Sequence, residues 1–120
     1  MSTINFTPKA ATDYIGLDPA VRLEVRKAIA KLESDPVSYG DPLGNKAGIN
    51  LYGFYSIRAG RRIRVIYFVD DAKDVVVLVI GKRDRFIAHQ TARERARSFH
   101  EAVGEELRSL EEVFKASGDT

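Results

Sequence analysis

Between Tyr52 and Arg85 three apolar runs carry arginines and lysines at positions that an apolar core would not choose. The segment YGFYSIRAGRRIRVIYFVDDAKDVVVLVIGKRDR holds three short runs rich in Val, Ile, Tyr and Phe. They are broken at Ala59-Gly60 and at Asp70-Asp71-Ala72-Lys73-Asp74, which predicts an antiparallel meander. In the middle run Ile63, Val65, Tyr67 and Val69 fall on one face and Arg62, Arg64, Ile66 and Phe68 on the other, because strand side chains alternate. One face suits a core, and the other sets cations beside an apolar floor. Strand partners share a face, so Arg58 and Arg64 lie together only if paired numbers sum to an even value. A connection of odd length centred on Arg61 does this, whereas a two-residue Ala59-Gly60 turn would pair Arg58 with Arg61. The odd connection is expected, because it also sends Ile57, Ile63 and Val65 to one core face.

Upstream the spacing is helical. Ile4-Asn5-Phe6 reads as a brief strand, after which Thr7-Pro8 supplies a capping hydroxyl and a proline suited to the first helical position. That helix is expected to run to about Leu17. Asp18-Pro19 repeats the signal, and Val21, Val25, Ile29 and Leu32 recur at steps of three and four, which predicts an amphipathic helix. The short joint Gly16-Leu17-Asp18 makes the two a helical hairpin. From Ser34-Asp35-Pro36 to Asn50, prolines 36 and 42 and glycines 40, 44 and 48 predict a long loop, with Tyr39 and Leu43 able to pin it to the core. After Arg85, Ala92, Ala96, Phe99, Val103, Leu107, Leu110 and Phe114 predict a C-terminal helix over about 91–115. It is expected to fold back on the body, with a homodimer through this helix as the alternative, since its steps nearly follow a heptad. The fold class expected is α+β. A small antiparallel sheet, the N-terminal strand plus a three-stranded meander, packs on the helical hairpin, with the C-terminal helix added, in one domain over 1–120.

Composition narrows the chemistry. A chain of 120 residues with 44% hydrophobic content can bury roughly two thirds of its unfolded surface around one core. There is no cysteine, which excludes disulfides and thiolate metal sites. With no basic region leading into an apolar run and no stretch near the roughly 20 apolar residues of a membrane span, a soluble cytoplasmic protein that does not meet a membrane is expected. The net charge is only +2, but it is uneven: 14 Lys and Arg stand against 10 Asp and Glu up to Gln90, and 5 against 7 after it. The basic body is compatible with a polyanionic partner.

Proton transfer near neutrality needs a titrating group, and the chain has two histidines. His100 sits among glutamates, as on a solvated helix face. His89 follows the last strand, close to Lys82, Arg83 and Arg85. Neither has a partner at metal-ligand spacing, so no metal is expected. Phosphate-cradling glycine loops are absent, Ser56 has no nucleophile elbow, and no cofactor is implied. What remains is a set of guanidinium groups, which stay charged and match phosphate oxygens with paired donors. Arg58, Arg64 and Arg83 on one concave face suit a phosphodiester whose charge rises during reaction. Arg61, Arg62, Lys82 and Arg85 flank them as further candidates to hold such a backbone.

The element order together with YSIRAGRRIRVIYFV and VVVLVIGKRDR resembles the RelE/ParE superfamily of bacterial type II toxin–antitoxin toxins over roughly residues 4 to 89. The specific parts are Arg64-Val65-Ile66-Tyr67 and the strand exit Gly81-Lys82-Arg83-Asp84-Arg85. The resemblance implies a toxin partnered by an antitoxin. In RelE-type members the concave face holds messenger RNA on the ribosome and promotes attack of a ribose 2′-hydroxyl on the neighbouring phosphate. Arg64 then matches the mid-strand arginine that stabilises the phosphate, and Arg83 the arginine at the strand exit. Arg58 falls where RelE has a lysine, Ser56 on a second RelE lysine, and His89 near the place of a C-terminal tyrosine. The endoribonuclease reading therefore rests on Arg58, Arg64, Arg83 and His89. A ParE-like inhibitor of DNA gyrase and a catalytically inert binding module are the alternatives with the same fold.

Overall fold

The protein is described from a computed structural model covering residues 2–46, 49–82, 95 and 107–119. A helical hairpin lies against one face of a six-stranded, mostly antiparallel sheet, so the expected α+β class holds. β1 (Ile4–Phe6) leads into α1 (Pro8–Ile15), whose N-cap Thr7 accepts a hydrogen bond from the Ala10 N–H at 3.2 Å, with Pro8 in the first turn. The hydroxyl satisfies one of the donors that a helix start leaves open. α2 (Pro19–Ser34) buries Val25, Ala28, Ile29 and Leu32, the stripe its spacing predicts. β3 (Ile49–Ala59), β4 (Ile63–Val69) and β5 (Val75–Lys82) form the meander, and β1 returns beside β5 in parallel.

Three-residue spacing between Ala59 and Ile63 pairs Arg58 with Arg64 and Ile57 with Val65, the register that parity requires. The helix-side face carries Ile57, Ile63, Val65, Tyr67, Val69, Val75, Val77 and Ile80 into a core shared with Phe6, Tyr14, Ile29 and Leu32. The opposite face has its own buried cluster of Leu43, Phe54, Ile66, Leu78 and Val79.

Two expectations change. The long loop after Pro36 is strand from Asp41 onward: β2 (Asp41–Lys46) pairs antiparallel with β3, with an irregularity between Pro42 and Gly44. β3 is 11 residues long, so its N-terminal half offers backbone groups that β2 takes up even with a proline in it. Leu43 is buried as expected, and Tyr39 is exposed. The C-terminal helix is not continuous over 91–115. Phe99 and Val103 lie outside the described residues, but Arg108–Ser109 form a short strand, β6, antiparallel to β1, and α3 (Leu110–Ser117) starts afresh. The physical reason is the free edge of β1, which β6 covers, and the capping group at Ser109, whose Oγ accepts from the Glu112 N–H at 3.2 Å. Among the described residues no helix is long and apolar enough to cross a membrane.

α3 does fold back on the body, with the Phe114 ring 5.5 Å from that of Tyr14. Gly118, at φ 79°, reverses the chain, and the Asp119 N–H bonds back to the Phe114 carbonyl at 2.9 Å. Only a residue without Cβ adopts that conformation cheaply. The turn aims Asp119 at the hairpin, where its carboxylate accepts from Tyr14 Oη, from Ser117 Oγ and from Arg22 Nε, and lies 2.9 Å from Arg26 Nη1. Burial alone would raise the pKa of this carboxyl. The hydrogen bonds from Tyr14, Ser117 and Arg22 and the charge of Arg26 outweigh it and hold the pKa at about 2.

An unfolded aspartate titrates near 3.9, so the contribution of Asp119 is complete above about pH 4 and is lost as the pH falls through about 2. Asp119→Ala is expected to cost about 2 kcal/mol at neutral pH, the range for hydrogen bonds to charged groups. Its thermal midpoint should also vary less than the parent's between pH 4 and pH 2, as measured by circular dichroism melts.

Candidate functional site

The face away from the helices is built from alternate residues of three strands. Phe54, Ser56 and Arg58 of β3 stand directly opposite Phe68, Ile66 and Arg64 of β4. On the other side of β4, Val76, Val79 and Gly81 of β5 stand opposite Phe68, Ile66 and Arg64. An apolar floor, with the Phe54 and Phe68 rings 5.1 Å apart, therefore ends in a row of Arg58, Arg64 and Gly81. Arg58 is exposed and Arg64 partly so. The ladder thus sets two guanidinium groups on one face from directly opposed positions, an arrangement whose paired donors match the oxygens of an anion.

Gly81 shapes the row. Among the described residues a Cβ at that position would meet nothing closer than Val79 Cγ1 at 3.8 Å, so none of them takes up the space beside Arg64 where other strand residues would place a side chain. Arg61 and Arg62 lie in the connection next to the row and are exposed. Four guanidinium groups thus fall within seven consecutive residues at one end of the sheet.

Lys82 is not brought to this face. Its ladder partner is Ile63, a residue of the helix-side core, so its side chain leaves the sheet on the opposite side from Arg58 and Arg64. Arg83, Arg85 and His89 lie outside the described residues. Ser56 is buried, at 4% exposure, and is paired on its outer side with Asp41 of β2. It is thus a floor residue beneath the arginine row.

Tyr67, in the Arg64-Val65-Ile66-Tyr67 step, has a structural task on the other face. Its ring stacks on Tyr55 at 5.8 Å, and its buried hydroxyl donates to the Pro36 carbonyl at 2.7 Å. Burial pushes the phenol well above its usual pKa, so it stays a neutral donor. Gly40 permits the contact, since a Cβ there would sit 1.8 Å from Tyr67 Oη. The tyrosine pins the 36–40 turn to the sheet.

The residues missed from the sequence are Asp13 of α1 and Arg95, which bond to the outer edge of β5. Asp13 carried a signal: it falls three residues after the buried Ala10 and beside the buried Tyr14, where a carboxylate is out of place in an apolar stripe. Arg95 carried none, because arginines are ordinary in a charged helical pattern.

Residues 4–86 match the family model described as the ParE toxin of the type II toxin–antitoxin system parDE. The chain belongs to this toxin family. It is the toxin of a type II toxin–antitoxin pair. Among solved structures it is similar to a mutant of the E. coli toxin RelE in the free state, with TM-score 0.62 and 22% identity over 79% of this chain and 98% of that one. A YoeB/ParE toxin from Agrobacterium tumefaciens gives TM-score 0.55 and 17% identity, covering 70% of this chain and 100% of that one. The YoeB–YefM complex from Staphylococcus aureus gives 0.51 and 23%, covering 68% and 95%. These likenesses place the fold. No curated protein sequence matches the chain.

The separation of roles between the faces gives a test. Tyr67→Phe leaves the Pro36 carbonyl without its donor and is expected to cost about 1 to 3 kcal/mol, seen as a lower midpoint in urea, with no loss of toxicity in cells at permissive temperature. Gly40→Ala, which forces the ring to move, is expected to destabilise more than Tyr67→Phe.

Proposed function

We propose that this toxin is a metal-independent endoribonuclease that cuts messenger RNA, on the ribosome, by attack of a ribose 2′-hydroxyl on the adjacent phosphate. The observation that supports this reading is the row of Arg58, Arg64 and Gly81: two guanidinium groups start from directly opposed positions beside a strand residue that carries no side chain. A phosphodiester lying across that row is held by paired donors. In the reaction the 2′-oxygen bonds to phosphorus and the bond to the 5′-oxygen breaks, leaving a 2′,3′-cyclic phosphate and a free 5′-hydroxyl. Negative charge grows on the non-bridging oxygens, and Arg64 with Arg58 stabilises it. Arg83 is assigned to the same phosphate, and Arg61, Arg62 and Arg85 to the flanking backbone. Lys82 serves this reading only by reaching around the strand end.

Two protons must move, one off the 2′-hydroxyl and one onto the leaving 5′-oxygen. Arginine stays charged at neutral pH and is a poor acceptor. The proton carrier is assigned to His89, the histidine nearest in sequence to β5. The partner that silences the toxin is a short antitoxin, as in the YoeB–YefM complex, and the compartment this reading requires is the cytoplasm.

A second reading is kept because Ser56 is buried where RelE-type members carry a lysine, and because the matching family model is that of ParE. In it the cationic end of the sheet contacts DNA gyrase and no RNA is cut. Induced expression separates the two. Primer extension on cellular messages is expected to show new 5′ ends within minutes, whereas gyrase poisoning would give DNA breaks with intact messages.

Arg64→Ala is expected to slow cleavage of ribosome-bound message about 100-fold to 1,000-fold, the loss on removing one donor to a developing charge, with the thermal midpoint held. His89→Gln is expected to lower the rate on the order of 100-fold or more. It should also remove a limb near pH 6 to 7 from the rate profile, the range of an unperturbed histidine. A His89→Gln protein that cleaves at the parent rate with the parent profile would remove His89 from the mechanism.

A further inference from the structure

Along β5, β1 reaches only Val75–Val77, and the chain then enters α1, so from Leu78 onward the outer edge of β5 has no β1 residue beside it. Two side chains meet that edge instead. Asp13 Oδ2 accepts from the Ile80 N–H at 3.1 Å, and Arg95 Nη1 donates to the Leu78 carbonyl at 2.8 Å. The two are joined to each other, Arg95 Nη1 to Asp13 Oδ2 at 2.5 Å and Nη2 to Oδ1 at 3.3 Å. A carbonyl and an N–H two residues apart are what one residue of a neighbouring strand would satisfy, so the joined pair stands in for a missing strand. It is only about one fifth exposed, with side chains at 18% and 22%.

The pair sits on the one irregularity of the β4–β5 ladder. Tyr67 is opposite Val77, but Ile66 is opposite Val79, which leaves Leu78 as an extra residue. This bulge sends Leu78 and Val79 together to the apolar floor and returns Ile80 to the helix-side core. It also decides what stands beside Arg64. With the bulge the neighbour is Gly81; without it, the register of Tyr67 and Val77 carried onward would put Ile80 there and fill the gap with a branched side chain.

We propose that Asp13 and Arg95 are positioning residues: by holding Leu78 and Ile80 they fix the β5 bulge, set Gly81 opposite Arg64, and so keep the arginine row open for a phosphodiester backbone. The consequence for RNA rests on the endoribonuclease reading, but the register itself is readable without it. The natural sequence has no cysteine, so paired cysteines report strand register directly.

Ile63→Cys with Lys82→Cys marks the bulged register, and Ile63→Cys with Gly81→Cys marks the unbulged one. In the parent full-length chain under mild oxidation the first pair is expected to crosslink in strong preference to the second. In Asp13→Ala and Arg95→Ala backgrounds the ratio is expected to fall about tenfold or more, as losing hydrogen bonds to a charged group implies. Asp13→Asn, which keeps an acceptor for the Ile80 N–H while losing the charge pair, gives an intermediate ratio and serves where Asp13→Ala does not fold. Message cleavage, measured without the cysteines and well below each midpoint, is expected to drop with the crosslink ratio. An unchanged ratio overturns the proposal whatever the RNA assay gives. A shifted ratio with cleavage at the parent rate overturns the positioning role. A shifted ratio with a parent that cuts no message leaves the register lock standing and overturns the endoribonuclease reading.

Discussion

Parity is the constraint on which this sheet depends. Antiparallel partners share a face, so the length of one connection decides where every side chain of two strands points. Three residues between Ala59 and Ile63 send four apolar side chains of β4 under the helices, and the same choice delivers Arg58 and Arg64 to the other side together. The hydrophobic driving force on one face thus enforces a like-charge juxtaposition on the other. Burial of residues such as Val65, Tyr67 and Val69 is worth roughly 1.5 to 3 kcal/mol each, well above the few tenths to 1 kcal/mol at stake between opposed charges. A register slip that relieved the arginines would expose the core.

Much of this was legible because its signals are local. Thr7-Pro8 marks one helix start by a capping hydroxyl and a proline, and Asp18-Pro19 marks the other by its proline, since the Asp18 side chain makes no cap hydrogen bond. The alternation in residues 63–69 sorts core from site, and the Asp70–Asp74 turn separates β4 from β5. What escaped depends on long-range pairing or on two signals in conflict. β2 has no alternating pattern, and it is a strand because the long β3 offers it an edge. In the C-terminal segment Leu107, Leu110 and Phe114 continue a helical step across a two-residue strand, and periodicity outvoted a competing local cue. That cue was Ser109-Leu110-Glu111-Glu112, a capping sequence that announces a helix start in the middle of the expected helix. The arginine row was legible as far as Arg58 and Arg64. Gly81 as its third member was not, since a bulge shifts phase without a reliable sequence mark.

The two anchoring contacts show how a small sheet recruits distant segments. Tyr67 ties the 36–40 turn to the strand bearing Arg64, and Asp119 ties the chain's last described residues to both N-terminal helices. In each a tyrosine hydroxyl at the boundary of the core, Tyr67 Oη to the Pro36 carbonyl and Tyr14 Oη to Asp119, fixes direction while the ring supplies the burial. Neither lies on the cationic face, so the scaffold is held apart from the site.

The way the sheet ends has its own consequence. An uncovered strand edge is a template on which another chain can grow. At one end stands β6, only two residues long; at the other stands β2, with a proline that offers no donor and an irregular step at Pro42 and Gly44. Among the described residues neither end presents a long flat ladder, so joining of copies into a continuous ribbon is disfavoured from both sides.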